Sequence, residues 1–400
     1  MIEASVISSV LDSVGALGCE PPVFRGVSDL KVLTYTSTTD GEFCGLGDHI
    51  ARLLANLEIL GLECPVMSPS DKPWIRVPKQ LVAADPRSLS GFARACSTVA
   101  EVSPDVVLVP YIPFMLGRGG ISVAFTQWVR HVSARWPTVF VVHEPAATFS
   151  LRPKYFAIWL WHALTLGAML RAVDRVVFSI GYWRNRARRF FMLGDKPCRT
   201  IPIGSNIPCA AGPVFATGCG LRLGTFWTQH PGFLGDWVID AARAIAHRGL
   251  SVTLVAFGRS AATMPRHPDY TVEVHGGLDA QAMSTRLASV DVMLLPYRDG
   301  VSFRRTTFFA ALEHGLPTLT TTGYATDEPG LYRALGAVST SDRAGFVRVA
   351  LELAAGAERR QLKAAAANSL HAARFDWKIL RRLWFDELHA CSYQSQRAGV

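Results

Sequence analysis

Two adjacent arginines, Arg304 and Arg305, stand where an apolar run gives way to a helix, and that setting selects anion chemistry. The segment 294–323, LLPYRDGVSFRRTTFFAALEHGLPTLTTTG, reads as a buried strand, a loop through Gly300, a helix, and a Gly-Leu-Pro turn into a second apolar strand. A helix start offers unpaired backbone N–H groups and the positive end of the macrodipole. Two guanidinium groups add permanently charged, forked donors whose geometry suits a diphosphate.

Other residues have spacing that suits chemistry. VVHEP sets His143 and Glu144 at the carboxyl end of an expected strand, where open α/β sheets bind ligands. A polar contact in a reaction centre and a purely structural histidine are both open. The turn GEFCGLGDH follows the first expected strand, and Gly45 and Gly47 permit the close backbone approach that a phosphate or sugar requires. It is not a dinucleotide fingerprint, because Ile50 stands where a third glycine belongs, and an ordinary tight turn is the alternative. Gly258 and Arg259, at the end of a later strand, are weaker candidates for ligand contacts. GYWRNRARRFFMLGDK gathers Arg184, Arg186, Arg188 and Arg189 among Trp183, Phe190 and Phe191. That mixture suits the interface of an anionic membrane or a solvated helix surface; no nucleic-acid recognition motif accompanies it, and no nucleic-acid partner is expected.

The elements that must position these residues alternate. Strands are expected over 31–36, 105–109, 139–143 and 173–179, with helices over 48–60 and 122–135, a pattern that implies a parallel sheet wrapped by helices. Residues 208–219, PCAAGPVFATGCG up to Gly220, are small, Gly- and Pro-rich and uncharged, and read as an interdomain linker. The pattern then restarts with strands over 221–225, 251–257, 271–274, 291–295 and 318–321 and helices over 234–247, 280–289 and 306–314. The expected organisation is an extension over 1–29, a first domain over 30–207, the linker, a second domain over 220–374, and a tail over 375–400. In the tail Trp377, Leu380, Trp384 and Leu388 recur at helical spacing.

Bulk properties agree with two folded domains. The chain has 400 residues, 49% hydrophobic and 18% charged, too long for one ordinary core and too apolar for disorder. Lys and Arg number 41 against 32 Asp and Glu, a surplus that serves nucleic acid, an anionic membrane or an anionic substrate equally well. The eight cysteines show no Cys-x-x-Cys pair and no zinc spacing, which suggests a reduced, cytoplasmic compartment with neither metal nor redox site. The segment 155–170, YFAIWLWHALTLGAML, has no charged residue, yet its 16 residues fall short of the roughly 20 that span a bilayer. A largely buried helix and a membrane-leaning one are both compatible with it.

The stretch around the arginines resembles the donor segment of glycosyltransferase family 4, in the branch that reads GVSxRRxxxxAALxHGLPxxTT. Gly300, Val301, Ser302, Arg304, Arg305, Ala310, Ala311, Leu312, His314, Gly315, Leu316, Pro317, Thr320 and Thr321 carry that resemblance, which extends over about residues 30–393. It implies the α/β GT-B fold: two facing Rossmann-like domains with an interdomain cleft and a C-terminal helix that crosses back to the first. It further implies that Gly45, Gly47, His230, Gly300, Val301, Ser302, Arg304 and Arg305 contact the donor diphosphate or sugar, and that His143 lies at the transferred sugar as the catalytic polar contact. The segment VPYIPFMLGRGG matches a cleft segment of the family, so that Tyr111 and Arg118, with Glu144, become acceptor or cleft contacts and Phe114 a packing residue.

The chain departs from the family at three places. Phe233 stands where a lysine often meets the diphosphate, and Ser302 and Ala310 stand where many members carry two glutamates. The activity implied is metal-independent, retaining transfer of a sugar from a nucleotide-diphosphate sugar to a saccharide or lipid-linked saccharide, without cofactor. No Asp-x-Asp metal motif is present. Same-face attack, assisted by the leaving phosphate, needs no side-chain nucleophile. The first domain would face the acceptor, at the inner face of the membrane if the acceptor is lipid-linked. The alternative is a non-catalytic sugar-nucleotide or partner-binding protein on the same fold.

Overall fold

The computed structural model describes residues 30–37, 45–69, 81–147, 149–190, 193–209 and 220–398. The extension over 1–29 and nearly all of the expected linker lie outside the described residues. The described chain divides into two compact units, residues 30–202 with 377–398, and residues 203–376.

The first unit is built on seven parallel strands: β1 (Val32–Tyr35), β2 (Val66–Ser68), β3 (Leu81–Ala83), β4 (Val106–Tyr111), β5 (Thr138–Val142), β6 (Arg175–Phe178) and β7 (Cys198–Thr200). Their order is β3-β2-β1-β4-β5-β6-β7, so the sheet reverses direction of growth between β1 and β4. Successive side chains in a strand point to opposite faces, and both faces of this sheet are covered. Leu33, Tyr35, Val107, Val109, Phe140 and Val142 face helices Leu89–Val102, Val123–Ser133 and Pro153–Ala172. Val32, Val66, Val106, Leu108, Val139 and Val141 face helix Gly45–Glu58 and the C-terminal helix Trp377–Ala398. Trp377, Leu380, Trp384 and Leu388 are buried there, the four positions that the helical spacing singles out. The helix is further tied to β6 by a forked ion pair, Arg175 Nε to Glu387 Oε1 at 2.7 Å and Nη2 to Oε2 at 3.2 Å.

The second unit repeats the scheme with β8 (Leu221–Phe226), β9 (Val252–Phe257), β10 (Thr271–His275), β11 (Val292–Leu295), β12 (Thr318–Thr322) and β13 (Val338–Ser339). All are parallel, in the order β10-β9-β8-β11-β12-β13, with the reversal between β8 and β11. Helices Gly235–Ala246 and Arg343–Ala355 cover one face, where Trp237 and Phe346 meet with ring centroids 5.6 Å apart. Helix Thr306–Glu313 is fully apolar on its inner side, with Phe309 against Phe375 at 4.7 Å. Phe375 thus belongs to this unit, and Trp377 opens the helix that belongs to the other.

Two expectations change. The segment 155–170 lies within helix Pro153–Ala172, but only His162, Leu166, Gly167, Met169 and Leu170 of that helix are buried, so it is not the largely buried helix that its composition suggests. Gly45 and Gly47 lie in the first turn of helix Gly45–Glu58 rather than in a turn ahead of it. The first four N–H groups of a helix have no intrahelical partner, so glycine there costs little. Short strands β2, β3 and β7 carry too few residues to show an alternating pattern.

Candidate functional site

In the second unit the loops after β8 and β11 meet at the point where strand order reverses, the place at which open α/β sheets take ligands. The β8 loop is stitched to the β11 loop by Leu234 N–H donating to Pro296 O at 3.0 Å, Arg298 N–H to Gly232 O at 2.9 Å and Arg298 Nε to Pro231 O at 2.8 Å. His230 is exposed on the first of these loops, its Nδ1 accepting from Gly232 N–H at 3.0 Å. Phe233 is buried between Trp227 and Tyr297 as a packing residue.

The β11 loop is rigidly held. Gly300 has φ +87°, and a Cβ there would lie 2.2 Å from both Gly323 N and Thr326 Oγ1, so only glycine fits. Val301 N–H donates to Thr321 O at 2.7 Å, Ala325 N–H to Asp299 O at 3.0 Å, and Phe303 N–H to Asp327 Oδ2 at 3.1 Å. Val301 and Ser302 are fully buried, and Ser302 Oγ makes no hydrogen bond among the described residues. Ala310 is equally buried in helix Thr306–Glu313, so neither position that the family gives to glutamate presents a polar group to solvent.

Asp299 organises this loop. Its two carboxylate oxygens are divided between the arginines, Oδ2 on Arg304 Nη2 and Oδ1 on Arg305 Nη2, with Asp299 only 9% exposed along its side chain. The Arg305 guanidinium also lies over the Tyr297 ring at 4.3 Å, and Tyr297 Oη is 2.8 Å from Thr307 Oγ1. Burial and then the adjacent Arg304 charge push Arg305 below its ordinary value, and Asp299 opposes them. Arg305 stays charged at neutral pH all the same. They sit at the start of helix Thr306–Glu313, where Arg305 is the capping residue and no side chain caps the first amides. Gly300, Val301, Ser302, Arg304 and Arg305 are therefore brought together, with His230 on the adjoining loop.

Gly258 and Arg259 follow β9, the other neighbour of β8. Gly258 has φ +98° and its N–H donates to His275 O at 3.0 Å; Arg259 is exposed.

In the first unit His143 follows β5. Its backbone N–H donates to Tyr111 O at 3.0 Å, which carries the pairing with β4 one residue past the end of β5, and its carbonyl accepts from the Ser179 side-chain Oγ at 3.2 Å. The residue is 7% exposed, and its Nε2 makes no hydrogen bond among the described residues. The His49 ring meets it edge-on at 5.3 Å, and Trp377 and Trp384 lie 6.1 and 6.4 Å from His49. Burial, and then His49, hold His143 well below the usual histidine range, so at neutral pH it is an uncharged hydrogen-bonding group. Glu144 beside it is half-buried.

Tyr111 is a correction. It is fully buried with its ring 5.3 Å from Phe140, and burial pushes its phenol up, whereas Phe114 is 54% exposed. Tyr111 is thus a core residue rather than a cleft contact, because it points inward at the last position of β4, and Phe114 is not buried in the core. Arg118 opens a short 3-10 turn, Arg118–Gly120, and its side chain lies outside the described residues.

Two site residues escape a sequence reading, Asp299 and His49. Asp299 had a faint signal, one acid among Arg298, Arg304 and Arg305; His49 had none beyond its place in GLGDH.

No family model and no curated protein matches the sequence. Solved structures do. The chain is similar to WaaG, a glycosyltransferase involved in lipopolysaccharide biosynthesis, with 14% identity, TM-score 0.60, and coverage of 89% of this chain and 98% of that one. It is similar to an α-glucosyltransferase in complex with UDP and a 13-mer DNA containing a HMU base, with 10% identity, TM-score 0.61, and coverage of 90% and 100%. A third is the pneumococcal O-GlcNAc transferase GtfA in complex with UDP and GlcNAc, with 10% identity, TM-score 0.59, and coverage of 90% and 99%. The chain has the GT-B fold.

Proposed function

We propose that this protein is a retaining glycosyltransferase that moves a sugar from a nucleotide-diphosphate sugar to a saccharide or lipid-linked saccharide, in the assembly of a polysaccharide or glycolipid. One observation carries the reading: two guanidinium groups, organised by a buried carboxylate, stand at an uncapped helix start beside the strand-order reversal of the second unit. Such a site is built for a diphosphate. The fold it shares with UDP-bound glycosyltransferases supports a nucleotide-diphosphate donor.

In this reading Arg304 and Arg305 stabilise negative charge on the departing diphosphate without a metal ion. The acceptor hydroxyl attacks from the face the diphosphate leaves, and a phosphate oxygen takes its proton. The C–O bond to the diphosphate breaks as the C–O bond to the acceptor forms. Neutral His143 serves as a hydrogen-bonding contact to the transferred sugar, not as a charge. Ribose recognition comes from groups other than Ser302 and Ala310, which are buried.

A panel of nucleotide-sugars tested by thermal shift checks this. The correct donor at 100 times its Kd adds about 2.7 kcal/mol. A panel in which no nucleotide-sugar or nucleoside diphosphate shifts the transition contradicts the proposal. Binding without any release of free sugar leads instead to a non-catalytic binding protein.

A further inference from the structure

We infer that the exposed face of helix Pro153–Ala172, with the adjoining loop over 112–123, docks on an anionic lipid surface. The first observation is charge. Residues 106–194 contain eleven Lys or Arg and only two acids, Glu144 and Asp174, so their surplus of nine equals the net charge of the whole chain. One of the eleven, Arg175, is consumed by Glu387.

The second observation is apolar exposure within that same basic stretch. Phe156, Leu160 and Leu164 recur every fourth residue along one face of the helix, and Leu164 is 63% exposed. His162, Leu166, Met169 and Leu170 hold the opposite face in the core. At the start of the helix Phe149, Phe156 and Trp159 pack on one another at 5.1 to 6.2 Å while Phe149 and Phe156 remain exposed. Leu151, Phe114 and Ile121 are exposed as well. An apolar patch of this kind on a folded chain marks an interaction surface.

The third observation joins the two. One turn beyond Leu164, Ala168 and Arg171 line a groove of about 710 Å³ with Arg130, His131 and Phe92. The outer face of one helix therefore runs from aromatic and leucine side chains to a basic groove. The loop is clamped to it, since His162 Nε2 donates to Gly119 O at 2.9 Å and its Nδ1 accepts from Ala147 N–H at 3.0 Å. Aromatic and aliphatic residues beside basic ones match the boundary between acyl chains and phosphate headgroups. A second copy of the chain is disfavoured by repulsion between two like-charged faces. No helix among the described residues is long and apolar enough to cross a membrane, so contact is peripheral.

The inference uses no part of the proposed reaction, and its test is independent of any donor. The full-length protein is sedimented with phosphatidylcholine vesicles, with and without phosphatidylglycerol, at low and high salt. It should sediment with the anionic vesicles and lose much of that binding in 1 M salt, where the Debye length is about 3 Å. Phe156→Ser with Leu160→Ser and Leu164→Ser, all surface changes, should weaken binding at least about tenfold with an unaltered far-ultraviolet spectrum. Arg130→Gln with Arg171→Gln should reduce the salt-dependent part. Wild type that stays in the supernatant with both vesicles at low salt, a triple variant that binds as wild type does, or a dimer that the triple variant disperses would each overturn it.

Discussion

In the arginine loop two guanidinium groups converge on one buried carboxylate; around His143 the neighbouring rings are His49 and, beyond it, two tryptophans. Both regions occupy the carboxyl ends of parallel sheets that share one strand order over six strands, so the difference does not come from architecture. It comes from what each region permits to be charged. The first keeps two cations charged in a mostly buried place by supplying their counter-ion from within the loop. The second uses burial to keep a histidine neutral. One suits an ionised group such as a phosphate, the other an uncharged hydroxyl.

The largest expected break is at the cations. Arg304→Ala with Arg305→Ala removes two charge-assisted contacts of about 1.5–3 kcal/mol each, so donor Kd measured by calorimetry should rise at least about 100-fold. Asp299→Asn sharpens the comparison, because it removes the counter-ion and leaves the cations. Breaking a buried pair from one side costs about 3–5 kcal/mol, and the low end applies since the arginine side chains are 19% and 22% exposed. Thermal unfolding should show that loss, while added inorganic diphosphate should stabilise this variant more than it does wild type.

On the neutral side, His143→Asn should lower turnover about 10- to 100-fold, the loss of ~1.4–2.7 kcal/mol at the transition state, while donor Kd changes less than about threefold. The same variant tests the pH argument. Because His143 is held below its ordinary value, its neutral form contributes fully above about pH 6.5; below that the unfolded chain takes up a proton that the native state refuses. Stability should fall as pH drops below about 6.5, by at most ~1.4 kcal/mol per unit for this residue. The variant should flatten that slope in part, leaving the shares of buried His314 and His371. The smallest effect belongs to Tyr111→Phe. It deletes a buried hydroxyl that makes no hydrogen bond among the described residues, so stability and turnover should stay within about 0.5 kcal/mol of wild type.

The legible parts of the molecule are those that physics writes locally. Apolar runs ended by glycine or by charge marked nearly every long strand, and the positions of Trp377, Leu380, Trp384 and Leu388 marked the last helix because its buried stripe repeats at helical spacing. The arginine pair was visible because a helix start and a guanidinium are both local features. Asp299 was not, since its role depends on a loop folding back so that its carboxylate reaches residues five and six places on. His49 was missed for a similar reason: only the neighbouring strands β1, β4 and β5 bring helix Gly45–Glu58 beside the end of β5. Tyr111 was misread because the last residue of a strand points inward or outward by parity, which sequence leaves undecided where both faces are apolar.

The central claim is that the arginine loop holds a nucleotide-diphosphate sugar for transfer. Its most direct test is the release of nucleoside diphosphate and free sugar from a panel of nucleotide-sugars, with wild type compared against the Arg304→Ala, Arg305→Ala variant. The account predicts that wild type releases both products in equal amounts from at least one donor, the sugar with its anomeric configuration retained, and that the variant releases neither. Equal release by wild type and variant, or none by wild type from any donor, would contradict it.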